Sequence, residues 1–149
     1  MEHFDHITND LQKFIEKQKI FFVGTATSDG LINISPKGLE SLKVIDKNRI
    51  LWMNLTGSGN ESAAHTQENP RMTLMFTSFD KKPLILRVYG EVKTIHRLDK
   101  DWDILSSYFP PSDASRQIFD LSISLVQTSC GYAVPVSYTH LRAHETSID

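Results

Sequence analysis

The chain has 149 residues, 40% of them hydrophobic and 23% charged, with 16 lysines and arginines against 18 acidic side chains and a formal net charge of −2. That length supports one well-buried core without covalent staples, and the near-balance of charge, with no long block of either sign, excludes a general nucleic-acid surface. Cys130 alone cannot form an intrachain disulfide, no run approaches the ~20 apolar residues of a membrane-spanning helix, and Met1 to Lys13 lacks the basic and then apolar stretches of an export signal. A cytoplasmic protein with no membrane or nucleic-acid partner is expected.

Ile7, Leu11, Phe14 and Ile15 recur at helical spacing with Thr8 or Asn9 as a cap, which predicts an amphipathic helix over Ile7 to Gln18. After Lys19 the period changes. Ile20 to Ala26 is β-branched and aromatic, Ser28-Asp29-Gly30 supplies a turn, and Leu31, Ile32 and Ile34 resume an extended pattern, which makes a hairpin. A second hairpin joins Leu42, Val44 and Ile45 to Arg49 to Leu55 through Asp46-Lys47-Asn48. A short helix is predicted to start at the capping box Ser58-x-x-Glu61 and to stop before Pro70. A third hairpin runs from Met72 to Phe79 through Asp80-Lys81-Lys82-Pro83 into Leu84 to Ile95. Trp102, Leu105 and Phe109 predict a helix capped by Asp99 and ended by Pro110-Pro111, and Ser112 to Phe119 reads as a shorter one. Leu121, Ile123 and Leu125 then alternate with serines, as in a half-buried strand.

About seven strands in consecutive hairpins, with helices between them, predict a mainly β protein with peripheral helices. Antiparallel pairing closed into a barrel is favoured over a parallel α/β sheet, because closure removes the sheet's edges. Val136 to Thr146 lacks strand alternation and joins abruptly after Gly131-Tyr132-Ala133-Val134-Pro135. It resembles one reading frame of a transposon-end sequencing adapter. The expected organisation is therefore a domain over 1–135 with its native C-terminus missing, and a non-native tail over 136–149. His140 and His144 sit four apart in that tail, as zinc-binding pairs do, but lack the glutamate of the HExxH pattern, so no metal site is expected.

Two constellations could carry chemistry. In Asn33-Ile34-Ser35-Pro36-Lys37-Gly38, Lys37 supplies a point charge and Ser35 a hydroxyl beside a backbone shaped by proline and glycine; a solvated turn lysine is the competing reading. In Asn54-Leu55-Thr56-Gly57-Ser58-Gly59-Asn60-Glu61-Ser62 a strand passes through glycines into a helix start, where free N–H groups favour anions; a plain helix cap competes. No Gly-Lys-Ser/Thr of a Walker loop is present. Arg87 interrupts an apolar strand and either faces a cofactor or pairs with an acid, while His65, His96 and Cys130 have no nucleophilic or basic partner in sequence.

Together Ser35-Pro36-Lys37-Gly38, Asn54 to Glu61, Glu68-Asn69-Pro70-Arg71-Met72, Arg87-Val88-Tyr89-Gly90 and Gln127 to Tyr132 resemble, in that order, the flavin-binding split barrel of the pyridoxamine 5'-phosphate oxidase-like superfamily, over about residues 21–135. The resemblance implies an antiparallel, Greek-key split barrel. It also implies a homodimer with flavin mononucleotide (FMN) in the groove between two barrels. Cofactor-binding positions carried over are Ser35, Lys37, Asn54, Thr56, Asn60 and Ser62 around the phosphate; Arg87, from its place in the apolar strand, is a further candidate contact. Oxidases proper carry an Arg-Lys pair where this chain has Glu61-Ser62, and a C-terminal arginine and histidine motif that is not recognisable here, so pyridoxamine phosphate oxidation itself is not implied. The resemblance implies an FMN-dependent oxidoreductase acting on a small organic molecule, with no side-chain nucleophile. The alternative is a non-catalytic protein that stores or senses flavin, or binds haem or a deazaflavin.

Overall fold

The computed structural model describes residues 1–57 and 61–136. Thr8 opens the first helix, α1 (Asn9–Lys17), by accepting a hydrogen bond from the Leu11 N–H at 3.2 Å, which satisfies one of the donors that a helix start leaves free. Leu11 and Ile15 form its buried stripe. The strands are β1 (Glu2–Phe4), β2 (Ile20–Thr25), β3 (Asn33–Gly38), β4 (Leu42–Asp46), β5 (Arg49–Leu55), β6 (Arg71–Thr77), β7 (Ile85–His96) and β8 (Ser115–Ser129). Two further helices, α2 (Glu61–Glu68) and α3 (Trp102–Ser106), follow β5 and β7.

All the pairings are antiparallel, and seven strands lie in the order β3-β2-β6-β7-β8-β5-β4, with β1 added against the end of β8. The return of β5 to the side of β8 is a Greek-key arrangement. Laid flat, six strand intervals would hold β3 and β4 roughly 29 Å apart. A single helical turn, Leu39–Ser41, joins them, and so short a link reaches only about 14 Å. The sheet therefore curls into a half-barrel. Ring contacts across the interior show the same closure: Phe21 of β2 lies 6.2 Å from Trp52 of β5, although three strands separate them in the sheet.

The concave face holds the main core, with Phe21, Trp52, Phe76 and Phe119 fully buried: Phe21 stacks on Phe76, Trp52 stacks on Phe119, and Phe21 meets Trp52 edge-on. A second, smaller core lies on the convex face of β5, β8 and the end of β7, where Leu51, Met53, Ile95 and Ile118 pack beneath Leu105 and Phe109 of α3 and its following turn.

Most hairpins stand where the sequence puts them, with four corrections. Ser112 to Phe119 is not a helix: Ser115 to Phe119 begins the 15-residue strand β8, bonded to β5 on one side and β7 on the other. Asp99 does not cap α3. Its carboxylate accepts from the His96 N–H at 2.8 Å, and Asp101 takes the cap position without a side-chain bond. An eighth strand, β1, stands in the N-terminal segment read only as polar, and the second strand of the first hairpin starts at Asn33, leaving Leu31 and Ile32 in the connection. Of the expected tail only Val136 is described; 137–149, including His140 and His144, and the cap residue Ser58 lie outside the described residues.

Candidate functional site

Antiparallel partners share a face of the sheet, so the pairing of Val23 with Ser35 and of Phe21 with Lys37 turns both β3 side chains toward the concave side. There the Lys37 ammonium lies 5.6 Å from the Trp52 ring centre, across the seam where the two sheet edges approach. A cation over an indole face is modestly stabilised, by about 0.5–1 kcal/mol when exposed. No carboxylate pairs with Lys37 among the described residues.

Two residues beyond Trp52, Asn54 faces the same interior and donates to the Gln117 Oε1 at 2.8 Å. Ser62 is buried in the first turn of α2 and accepts from the Asn33 Nδ2 at 3.5 Å, which ties the helix start to β3 two residues before Ser35. Its own hydroxyl hydrogen remains able to donate. Thr56 is exposed at the end of β5, and its N–H and hydroxyl both donate to the Ala114 carbonyl, at 2.7 and 3.1 Å. That commits its hydrogens to the fold. Asn60 lies outside the described residues. Lys37 thus meets β5 at Trp52 and Ser62 meets β3 at Asn33, with Ser35 between Asn33 and Lys37 on the strand and Asn54 two residues beyond Trp52.

Arg87 is elsewhere. Its partner Met75 and the alternation of Leu86 and Val88 toward the core put it on the convex face, across the sheet from Lys37. One guanidinium nitrogen donates to the Ser129 Oγ at 3.3 Å, and no carboxylate reaches it among the described residues. It lines a groove of about 760 Å³ whose apolar wall includes Phe22, Ile32, Ile34 and Met75, with Tyr89 beside it. The Tyr89 hydroxyl is held by the Gln127 Oε1 at 3.0 Å. In β6 and β7 the wall residues Met75, Arg87 and Tyr89 occupy the positions that alternate with the core residues Leu74, Phe76, Leu86 and Val88, a signal the sequence carries.

The charged groups with displaced pKa values serve other parts of the fold. Asp120 holds the Arg49 guanidinium bidentately at 2.8 and 2.9 Å and pushes its pKa up, linking β5 to β8. The Asp5 carboxyl is pulled down by its hydrogen bond with His6. No group of three or more metal-ligating side chains occurs among the described residues, and none of their helices is long and apolar enough to cross a membrane.

Residues 7–130 match the pyridoxamine 5'-phosphate oxidase family. A relative from Aspergillus flavus, the pyridoxamine 5'-phosphate oxidase family protein ustO, is 33% identical over 138 residues, which is 89% of this chain. The chain spans 55% of that relative's length. Among solved structures, the fold is similar to a putative pyridoxamine 5'-phosphate oxidase from Lactobacillus delbrueckii (TM-score 0.69, 16% identity, 85% of this chain and 99% of that one). It is also similar to HutZ, the haem storage protein of Vibrio cholerae (TM-score 0.58, 14% identity, 84% and 96%), and to an FMN-binding protein from Syntrophomonas wolfei (TM-score 0.57, 16% identity, 78% and 81%). At these identities the structures speak for the split-barrel fold alone.

Proposed function

The chain belongs to the pyridoxamine 5'-phosphate oxidase family, and from that premise we propose that it binds FMN and acts as a flavin-dependent oxidoreductase on a small organic substrate. The observation that carries the reading is Lys37. It is a cation without a carboxylate partner among the described residues, set at the seam with Ser35, Asn54 and Ser62. Ser35 and Ser62 offer hydroxyls to the phosphate, and Asn60 and Thr56 border it in sequence, Thr56 contributing chiefly by shaping the β5 end. The flavin supplies the two-electron chemistry; the protein orients the ring and keeps water from it.

A homodimer belongs to this reading. Lys37 and Arg87 face opposite sides of one sheet and cannot both hold one ligand from a single barrel, whereas a second copy set against the convex groove brings the two faces of different chains together. Ile32 and Ile34, 72% and 69% exposed at the groove's rim, give that second copy an apolar surface to cover. Arg87 then contacts the cofactor from the wall of the groove. With Glu61 and Ser62 in place of an Arg-Lys pair, Lys37 bears more of the phosphate charge, and the substrate need not be a pyridoxamine.

The similarity to HutZ favours a second reading, a haem- or flavin-holding protein without turnover. The absorption spectrum and mass of the group that copurifies with the chain separates the two. Flavin bands bleached by NADH or NADPH and restored by an acceptor support the oxidoreductase. A Soret band, or a flavin inert to every donor, overturns it.

A further inference from the structure

We infer that His65, and to a smaller degree Glu68, are positioning residues for the phosphate end of the FMN site, acting through the seat of α2 on the β2–β3 hairpin; this rests on the FMN reading above. α2 is an unusual helix for a barrel cap because little of its surface is apolar. Its buried residues are Ser62, Ala63 and Thr66, and only Ala63 joins the core. What holds it is a stripe of polar side chains three residues apart, each bonded to the same hairpin. Ser62 accepts from Asn33 at 3.5 Å, His65 Nδ1 and the Thr25 Oγ1 share a hydrogen bond at 3.1 Å, and Glu68 accepts from the Ser28 hydroxyl at 3.0 Å and from its N–H at 3.4 Å.

Apolar packing tolerates a small slide of one element over another, because dispersion contacts are non-directional and many. Hydrogen bonds fix distance and angle. The place of the α2 start relative to β3 is therefore set by this stripe, and the α2 start carries Ser62, bonded to Asn33 two residues before Ser35 on β3. The three bonds are unequal. Thr25 is 3% exposed, so the His65 bond is sheltered from water, whereas Ser28 and Glu68 are both exposed and their bond competes with solvent. The Asn33 contact is the longest of the three. His65 is the main clamp, yet nothing places it in contact with the phosphate itself.

The test titrates FMN and riboflavin, which lacks the phosphate, into the full chain as wild type, His65→Ala, His65→Gln and Glu68→Ala, with thermal melts alongside. Losing one hydrogen-bonded clamp should weaken FMN by roughly 3- to 10-fold in His65→Ala, leave riboflavin within about twofold, and cost less in Glu68→Ala. His65→Gln, whose amide can still reach Thr25, should recover most of the FMN affinity. Should His65→Ala not fold, the surface variant Glu68→Ala carries the same FMN-selective signature at smaller size. Equal weakening of both ligands, or no weakening in either variant, overturns the inference. A wild type that binds neither ligand overturns the FMN reading and this inference with it, whereas a phosphate-selective loss in Lys37→Ala without one in His65→Ala overturns the inference alone.

Discussion

The convex surface of this half-barrel is treated in two ways. Over β5, β8 and the end of β7 it is roofed by α3, and Leu51, Met53, Ile95 and Ile118 beneath that roof are all at most 5% exposed. Over β2, β3, β6 and the start of β7 it is bare, and residues of the same chemical kind, Phe22, Ile32, Ile34 and Met75, line an open groove around Arg87. Apolar side chains on the outer face thus have two fates in one sheet. Where the chain covers them they are structure, and where it leaves them uncovered beside a cation without a carboxylate partner they form the surface that the proposed ligand and second copy would cover.

The largest expected effect is in the roofed half. Phe109→Ala opens a cavity in the small core under α3 and should destabilise the protein by about 3 kcal/mol or more, read from a denaturant melt. A loss below ~1 kcal/mol would mean that α3 is a loose cover and that the two halves are alike. In the bare half, Ile34→Asp should leave monomer stability within ~0.5 kcal/mol, since the side chain is already in water. It should nonetheless halve the mass in sedimentation, from twice the chain mass to one. A wild type that sediments as a monomer and still binds flavin tightly would break the comparison at its functional end.

Smaller again is the ion pair that links β5 to β8. Asp120→Ala should cost on the order of 1 kcal/mol or less, discounted because the Arg49 side chain is 38% exposed. The Arg49 pKa is raised in the folded state, so its contribution is fully present below the ordinary guanidinium value and is lost only as pH rises through the raised one. Melts across the neutral range should show no slope from this group. Last, if 136–149 is foreign to the domain, removing it should change stability by no more than ~0.5 kcal/mol; a larger loss would refute that reading.

Much of this was legible because hairpins announce themselves twice, through alternation and through turn residues. Asp46-Lys47-Asn48 and Asp80 to Pro83 fix the ends of β4, β5, β6 and β7 to within a residue or two. The start of β8 gave neither signal. Gln117, Ile118 and Phe119 are buried in succession because the core takes one side and α3 the other, so alternation disappears and a helix reads equally well. β1, three residues long and mostly exposed, has no pattern to read and exists by its pairing with β8. At the site, Ser35, Lys37 and Ser62 were legible as motifs at strand ends and a helix start. That Arg87 stands across the sheet from them could be read from its alternation with Leu86 and Val88. The bonds of His65 and Glu68 could not, because each joins residues 40 positions apart and depends on how α2 lands on the hairpin.

The central claim is that Lys37 meets the phosphate of FMN, and titration of FMN and riboflavin into wild type and Lys37→Ala, with melts to exclude misfolding, tests it most directly. Removing a charge-assisted hydrogen bond should weaken FMN roughly 10- to 150-fold and leave riboflavin nearly unchanged. Equal weakening of both ligands would show that Lys37 is not the phosphate contact, and no weakening of either would remove the Ser35 to Gly38 segment from the site.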